Sequence, residues 1–394
     1  MIHLFINALA ASAGGGLTYV RNVLPRLAVR EDVRTTVLLS GALRNEIVDS
    51  ARVSVLPMNS PNGSARRFWY EQCNLPQFIR RSGADTLLST GNFALYRSPV
   101  PQILLSRNAL YTSSDFLRDL RNRGDYRLLL DTKVKARLAR WSVQVADCTV
   151  APTATFASDL QQWTGKDVVS IHHGFDHEAF FRDQGPLPPA VQAQLAESEG
   201  SLRLLFVSHY NYYRNFETLI RAVAILKKQL HLRRIRLILT CKLKSEENPG
   251  DYQASPAADL VQQLGLGEEV VELGAIPYGL LRHLYRACDL YVTPAYAETF
   301  AHPLVEAMAS GLPVVASDLA VHREICGEAA LYFPRFSPEV LAEQVVHAQS
   351  AEQARTMRDL GMVRSRDFSW DKHVEELLRL ARCLNLHQVS GSAH

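Results

Sequence analysis

The sequence predicts an α/β protein made of two doubly wound parallel sheets in tandem. Three observations carry this expectation. Short apolar, β-branched runs alternate with longer amphipathic segments, the pattern of strand, crossover helix, strand. The alternation occurs twice, once up to about residue 171 and again from residue 202. The length of 394 residues suits two domains at roughly 100–200 residues each.

The first series of strands is expected at Ile2–Ile6, Thr35–Leu39, Val53–Leu56, Thr86–Leu88, Ile103–Leu105, Thr149–Val150 and Val168–Ile171. The second is expected at Leu202–Val207, Ile235–Thr240, Val270–Leu273, Leu290–Thr293, Pro313–Ala316 and Ala330–Phe333. A helix over Arg214–Leu230 places Phe216, Leu219, Ile220, Val223, Leu226 and Leu230 on one face. A last helix begins at Phe368, with Ser369 as N-cap, and sets Trp370, Val374, Leu377, Leu378 and Leu380 at helical spacing before a polar tail. The domain expectation is therefore 1–180, a linker at 181–200 that contains Gly-Pro-Leu-Pro-Pro, a second domain at 201–367, and a terminal helix and tail at 368–394 that returns to the first domain. Ligands of such sheets bind at the carboxyl ends of the strands, so an interdomain cleft is expected.

Composition excludes several classes. With 47% hydrophobic and 21% charged residues, 21 Gly and 18 Pro, neither disorder nor a fibrous repeat fits. The six cysteines are never closer than the 38 residues between Cys288 and Cys326, so no C-x-x-C zinc or redox pair exists. They read as reduced thiols of a cytoplasmic protein. The apolar start has no Lys or Arg before it, which favours a buried first strand over a signal peptide. No run approaches the ~20 residues of a membrane span.

The net charge of +3 hides an asymmetry. Residues 1–150 carry 20 Lys+Arg against 11 Asp+Glu, and residues 66–140 alone carry 14 against 6, interleaved with Phe68, Trp69, Tyr70, Phe116, Tyr126 and Trp141. An anionic membrane face or a phosphorylated ligand suits such a surface. Nucleic acid does not, because no nucleic-acid-binding signature accompanies the charge.

Three loops hold the candidate chemistry. Gly14-Gly15-Gly16 joins the first strand to a helix, allowing backbone amides to approach a phosphate or sugar. After the strand at 202–207, Ser208-His209-Tyr210-Asn211-Tyr212-Tyr213-Arg214 precedes the crossover helix. A cation at a helix entry adds to its positive end and calls for an anion there. Third, Glu298-Thr-Phe-Ala-His-Pro303-Leu-Val-Glu306-Ala-Met-Ala-Ser-Gly311 sets two carboxylates around the amides of a helix start with Pro303 at its first position. Carboxylates accept from sugar hydroxyls while amides hold anionic oxygens.

This last segment, of the form E-x-F-x-x-P-x-x-E-A-M-A-x-G-x-P-V-V, resembles the donor site of retaining GT-B glycosyltransferases, glycosyltransferase family 4 (glycosyl transferases group 1). The likeness extends to the glycine loop, residues 207–222, "LGAIPYGLLRHLYRACDLYVTP" at 273–294 and "FSWDKHVEELLRL" at 368–380. It implies two Rossmann-like domains in the GT-B arrangement and transfer of a hexosyl unit, such as mannosyl, from a GDP- or UDP-sugar to a glycan or polyprenyl-linked acceptor in bacterial polysaccharide or lipopolysaccharide synthesis. Glu306 would bind the ribose, while Glu298 and the backbone of Thr299, Phe300, Ala301, His302 and Leu304 would hold hexose and phosphates. Gly15, Gly16 and Ser208 would complete the donor site, with Gly274 and Ile276 at the base. Arg214 stands where the family has Lys for the leaving diphosphate, and His209 where it usually has Arg. Ser106-Arg107-Asn108 replaces the usual acceptor-side His-Asp, making Arg107 and Asn108 the acceptor candidates. No metal or other cofactor is expected, since D-x-D is absent, and the implied place is cytoplasmic, peripheral at the inner membrane face. A GT-B sugar-nucleotide epimerase or hydrolase, and a silent sugar-binding module, are the alternatives.

Overall fold

The computed structural model describes residues 1–11, 14–40, 47, 49–58, 63–229 and 234–391. They form two compact units, one of residues 1–112, 130–174 and 369–394, the other of residues 113–129 and 175–368. All thirteen expected strands are present, most lengthened or shortened by a residue or two.

In the first unit, β1 (Ile2–Ala8), β2 (Val33–Ser40), β3 (Val53–Met58), β4 (Thr86–Ser89), β5 (Gln102–Leu105), β6 (Cys148–Ala151) and β7 (Val168–Ser170) make one parallel sheet in the order β3-β2-β1-β4-β5-β6-β7. Register is continuous from Ile2 opposite Val33 to Ala8 opposite Leu39. Every residue of β1 is buried, because a parallel sheet is covered on both faces and its central strand has no solvent side. The terminal helix Trp370–Gly391 belongs to this unit, where Trp370, Val374, Leu377, Leu378 and Ala381 join a core with Leu4, Ile6, Tyr19 and Val23. Gly174 permits that packing: a Cβ on it would lie 2.0 Å from the Trp370 amide nitrogen.

In the second unit, β8 (Leu202–Phe206), β9 (Ile235–Leu239), β10 (Val270–Glu272), β11 (Leu290–Thr293), β12 (Val314–Ser317) and β13 (Ala330–Phe333) run parallel in the order β10-β9-β8-β11-β12-β13. The crossover helix spans Phe216–Gln229 and buries Phe216, Leu219, Ile220, Val223 and Leu226; Leu230 lies outside the described residues.

Two features differ from the sequence expectation. Residues 181–200 are not a free linker: Pro189–Ala196 is helical, and Leu187, Val191 and Leu195 are buried in the second unit's core. Arg282 fastens this stretch by donating to the Phe181 carbonyl at 2.9 Å and pairing with Asp183. The helix Ser114–Asn122, which lies in sequence between β5 and β6, is grouped with the second unit. The charge asymmetry persists on these boundaries, with 20 Lys+Arg against 13 Asp+Glu in the first unit and 23 against 27 in the second.

Candidate functional site

Strand order in the second sheet reverses between β8 and β11, so the loops leaving these neighbouring strands diverge at the carboxyl edge, where α/β sheets bind ligands. Those loops carry the residues singled out above. After β8, Ser208 anchors its amide on Thr240 Oγ1 at 3.0 Å and donates its hydroxyl to the His209 carbonyl at 2.7 Å. The exposed His209 imidazole is held below its ordinary pKa by desolvation and by the Arg214 cation. A turn at Tyr212–Arg214, capped by Asn211 Oδ1 on the Arg214 amide at 3.1 Å, sets up the helix. Asn215 then takes a left-handed φ of 56°, a conformation Asn tolerates. Its side-chain amide donates to the Pro294 carbonyl at 3.1 Å and the Arg335 carbonyl at 2.6 Å.

The anion that Arg214 calls for is Glu298. Arg214 Nη1 donates to Glu298 Oε2 in a largely buried ion pair, and Glu298 Oε1 accepts the Thr299 amide at 3.0 Å. Burial works to raise the Glu298 carboxyl, but the Arg214 charge and the Thr299 amide outweigh it and hold the group below the ordinary carboxylate range. Arg214 Nε is buried with no hydrogen-bond partner. The two loops are also stitched by backbone, Tyr296 N to the Tyr213 carbonyl at 2.9 Å.

Beyond Glu298 the chain turns sharply. Ala301 has a φ of +63°, a strained value for a residue with a Cβ, and the helix His302–Ala309 follows with Pro303 in its first turn. The side chains of Phe300 and Leu304 lie in the core, so these residues offer only backbone to a ligand; the Leu304 amide already donates to the Ala301 carbonyl at 3.0 Å. Phe300 packs edge-on to Phe368 and tilted against His302. Glu306 is buried and accepts the Tyr285 hydroxyl at 2.8 Å. Burial pushes its carboxyl up to about 7, in spite of that hydrogen bond. Gly274, at a φ of +80°, sits beside the Lys242 side chain, and Ile276 packs against the core.

Sequence reasoning missed Tyr285, the partner of Glu306, and His322. The latter is fully buried, with Nδ1 2.9 Å from the Ser317 carbonyl and Nε2 without a partner. Burial, with Arg214 nearby, keeps the ring below its usual pKa. A histidine in the apolar pattern of a short helix gives no outward signal of this place.

In the first unit, Arg107 Nη1 donates to the Gly15 carbonyl at 2.9 Å and Nη2 to the Thr90 carbonyl at 2.7 Å, with the guanidinium over the Tyr19 ring. It therefore clamps the glycine turn to the end of β4. Gly16 fits that clamp, since a Cβ there would lie 3.2 Å from Ala11 Cα and 3.6 Å from Arg107 Nη2, whereas Gly15 faces open space. Asn108 caps the following turn, its Oδ1 accepting the Leu110 amide at 3.0 Å. Both acceptor candidates thus shape a loop. Glu71, absent from the sequence reasoning, is buried beside Asn7 at 3.2 Å and Arg67 at 3.6 Å, and burial raises its carboxyl to about 7. Among the described residues no group of His, Cys, Asp and Glu is arranged to hold a metal ion, and no helix is long and apolar enough to cross a membrane.

Known proteins resemble this chain in sequence and in fold. Residues 189–359 match the model of the family described as glycosyl transferases group 1. A D-inositol 3-phosphate glycosyltransferase of Catenulispora acidiphila is 30% identical over 253 residues, 61% of this chain and 58% of that relative, so the chain spans little more than half the length of the curated protein it matches. The sucrose-phosphate synthase of Thermosynechococcus elongatus superposes with a TM-score of 0.75 at 19% identity over 98% of this chain and 99% of that one. Anabaena HepE in complex with UDP-glucose superposes at 0.70, with 16% identity over 97% and 100%. The fold is GT-B, two parallel α/β units as in these proteins.

Proposed function

We propose that the protein is a retaining, metal-independent hexosyltransferase that uses a GDP- or UDP-sugar and a glycan or polyprenyl-linked acceptor in bacterial surface polysaccharide synthesis. The observation that carries the reading is the buried Arg214–Glu298 pair at the switch point of the second sheet, on loops that match the group 1 family. A cation and a carboxylate that satisfy each other at rest are the two groups a sugar nucleotide exchanges: Arg214 turns to the diphosphate and Glu298 accepts from the hexose hydroxyls. Glu306 takes the ribose hydroxyls in place of Tyr285. The bond from the anomeric carbon to the diphosphate breaks with its electron pair going to the diphosphate, and Arg214, His209 and helix-end amides stabilise that charge. The acceptor oxygen bonds to the same face, and its proton passes to the departing diphosphate. Support for UDP-sugars comes from the HepE complex.

The test is thermal protection by GDP-, UDP-, dTDP- and ADP-sugars in wild type, Glu306→Ala and Arg214→Ala. A ligand at a hundred times its Kd adds about 2.7 kcal/mol. Protection of wild type by one nucleotide class, lost in both variants, is expected; wild-type protection retained in both would place the ligand elsewhere. Incorporation of sugar into acceptor, rather than release of free or epimerised sugar, separates transfer from the epimerase, hydrolase and silent-module readings. The same proposal includes peripheral contact with an anionic membrane. Leu130, Val134, Arg137 and Trp141 share one exposed face of the helix Tyr126–Val145, with Lys133 and Arg140 alongside and Trp69 exposed on the helix Ser64–Ser82. Aromatic and basic side chains together suit a headgroup region.

A further inference from the structure

The helix Ser114–Asn122 and the turn after it lie against the two loops that hold Arg214 and Glu298, and the contacts are polar and specific. Tyr296, two residues before Glu298 and 4% exposed, donates its hydroxyl to Asp119 Oδ2 at 2.6 Å. Tyr212, two residues before Arg214 and 2% exposed, donates to Asp125 Oδ2 at 3.3 Å. Tyr210 donates to Glu217 Oε1 at 3.3 Å. A single guanidinium joins two of these acceptors: Arg123 pairs with Asp119 and with Glu217, each at 2.9 Å, and lies over the Tyr212 ring 4.3 Å from its centroid. At the head of the helix, Asp115 accepts Arg335 Nε at 2.7 Å, and the Arg335 carbonyl accepts the Asn215 amide that also grips Pro294. The fully buried Phe116 meets the Tyr213 ring edge-on at 6.2 Å.

Such an arrangement exceeds what docking a helix requires. Phe116 and Leu120 bury an apolar face, which docks the helix without fixing what its polar side chains meet. The carboxylates instead take hydroxyls from the two loops directly upstream of the ion-paired residues. The Tyr296–Asp119 bond, at 2.6 Å, is short and directional and fixes where Tyr296 sits and hence where Glu298 begins, while the longer Tyr212–Asp125 bond, at 3.3 Å, holds the Arg214 loop more loosely. The Tyr213–Tyr296 backbone bond joins the two loops directly.

We propose that Asp119, Arg123 and Tyr296 are positioning residues for nucleoside diphosphate binding: the helix Ser114–Asn122 holds Arg214 and Glu298 in register for the diphosphate and hexose. This rests on the donor-site reading above. Because Ser114 comes two residues after the acceptor-candidate loop at Arg107–Thr112, the element that orders the donor loops is continuous in chain with that loop.

The test uses the full chain and UDP, GDP, ADP and dTDP as probes, with Kd by calorimetry and the unfolding midpoint without nucleotide measured on the same samples. Variants are Tyr296→Phe, Asp119→Asn, their double, Arg214→Ala as the donor-site control and Asp318→Asn, which loses an exposed pair with Arg323, as the surface control. The nucleotide that binds wild type should bind Tyr296→Phe and Asp119→Asn about tenfold more weakly, with the double variant no worse than either single, while Asp318→Asn is unchanged. Asp119→Glu should recover part of the loss. A fall in midpoint with unchanged Kd makes the network merely structural and overturns the inference. So does weakening by Arg214→Ala with none by Asp119→Asn or Tyr296→Phe. Should Arg214→Ala leave Kd unchanged, or none of the probes bind wild type, the donor-site reading fails and the inference with it.

Discussion

Glu306 holds a proton that the unfolded chain would release. Burial raises its carboxyl from 4.5 to about 7, and the group is 4% exposed, so water screens little of the effect. Between these two values the native state binds more protons than the unfolded state, and stability falls as pH rises. The stabilisation is complete below pH 4.5 and gone above the folded value. At about 1.4 kcal/mol per unit of displacement, the whole loss amounts to about 3 kcal/mol. Glu306→Gln keeps an oxygen for the Tyr285 hydroxyl and removes the titration. The variant should therefore gain about 3 kcal/mol on wild type between pH 4.5 and 8, roughly 6–12 °C in melting temperature for a unit of this size, with a plateau beyond. Urea unfolding followed by far-UV circular dichroism is the suitable assay, because all four tryptophans, Trp69, Trp141, Trp163 and Trp370, lie in the first unit and report on it instead. Parallel stability curves for variant and wild type over this range would refute the reasoning, since they would mean that the buried carboxyl is already as easily ionised as in the unfolded chain.

Other perturbations follow from the same contacts. Arg214→Ala leaves Glu298 buried beside no cation and should destabilise by about 3–5 kcal/mol, whereas the Arg214→Met, Glu298→Leu double variant should recover most of that in urea unfolding, because breaking a buried pair costs more than replacing it. His373 is buried neutral, its pKa lowered from 6.5 to about 4 by burial despite the His172 carbonyl it faces. The unfolded chain takes up that proton first, so stability falls as pH drops through this window, and His373→Gln should flatten the tryptophan-detected curve by about 3 kcal/mol. Gly174→Ala forces a Cβ onto the backbone of Trp370 and should expose Trp370, seen as a red-shifted emission. Leu130→Ser with Trp141→Ser should weaken sedimentation with phosphatidylglycerol vesicles, and wild-type binding should weaken with salt; salt-independent binding would sink the electrostatic part of the membrane proposal.

Much of the fold is legible because its signals are local. Runs such as Ile103–Leu105 and Leu290–Val292 are apolar on both faces, which only a strand covered on two sides tolerates, and Phe216 through Leu226 declare a helix by their spacing. Loop chemistry is legible for the same reason: Asn211, Pro303 and Gly274 each answer a backbone need within a few residues of themselves. The linker reading failed because Pro-rich composition marks the absence of regular pattern and says nothing of burial; Leu187, Val191 and Leu195 anchor that stretch all the same.

The polar pairings are a different matter. Arg214 and Glu298 are 84 residues apart in sequence, and Asp119 and Tyr296 are 177 apart. A charge at a helix entry implies some anion, yet any carboxylate on a neighbouring loop would satisfy the same local rule. Strand order selects one, since β8 and β11 are adjacent although β9 and β10 lie between them in sequence. The helix Ser114–Asn122 shows the limit most sharply. Its apolar face, Phe116 and Leu120, would suit either sheet equally, and Arg123, just past its end, belongs to the basic run of residues 66–140. Arg123 instead sits between Asp119 and Glu217 at 20% exposure, and the tyrosines that choose this location belong to loops written more than 80 residues later. Apolar periodicity determines that a helix is buried; the hydroxyls and carboxylates it finds determine where, and through them which residues it can place.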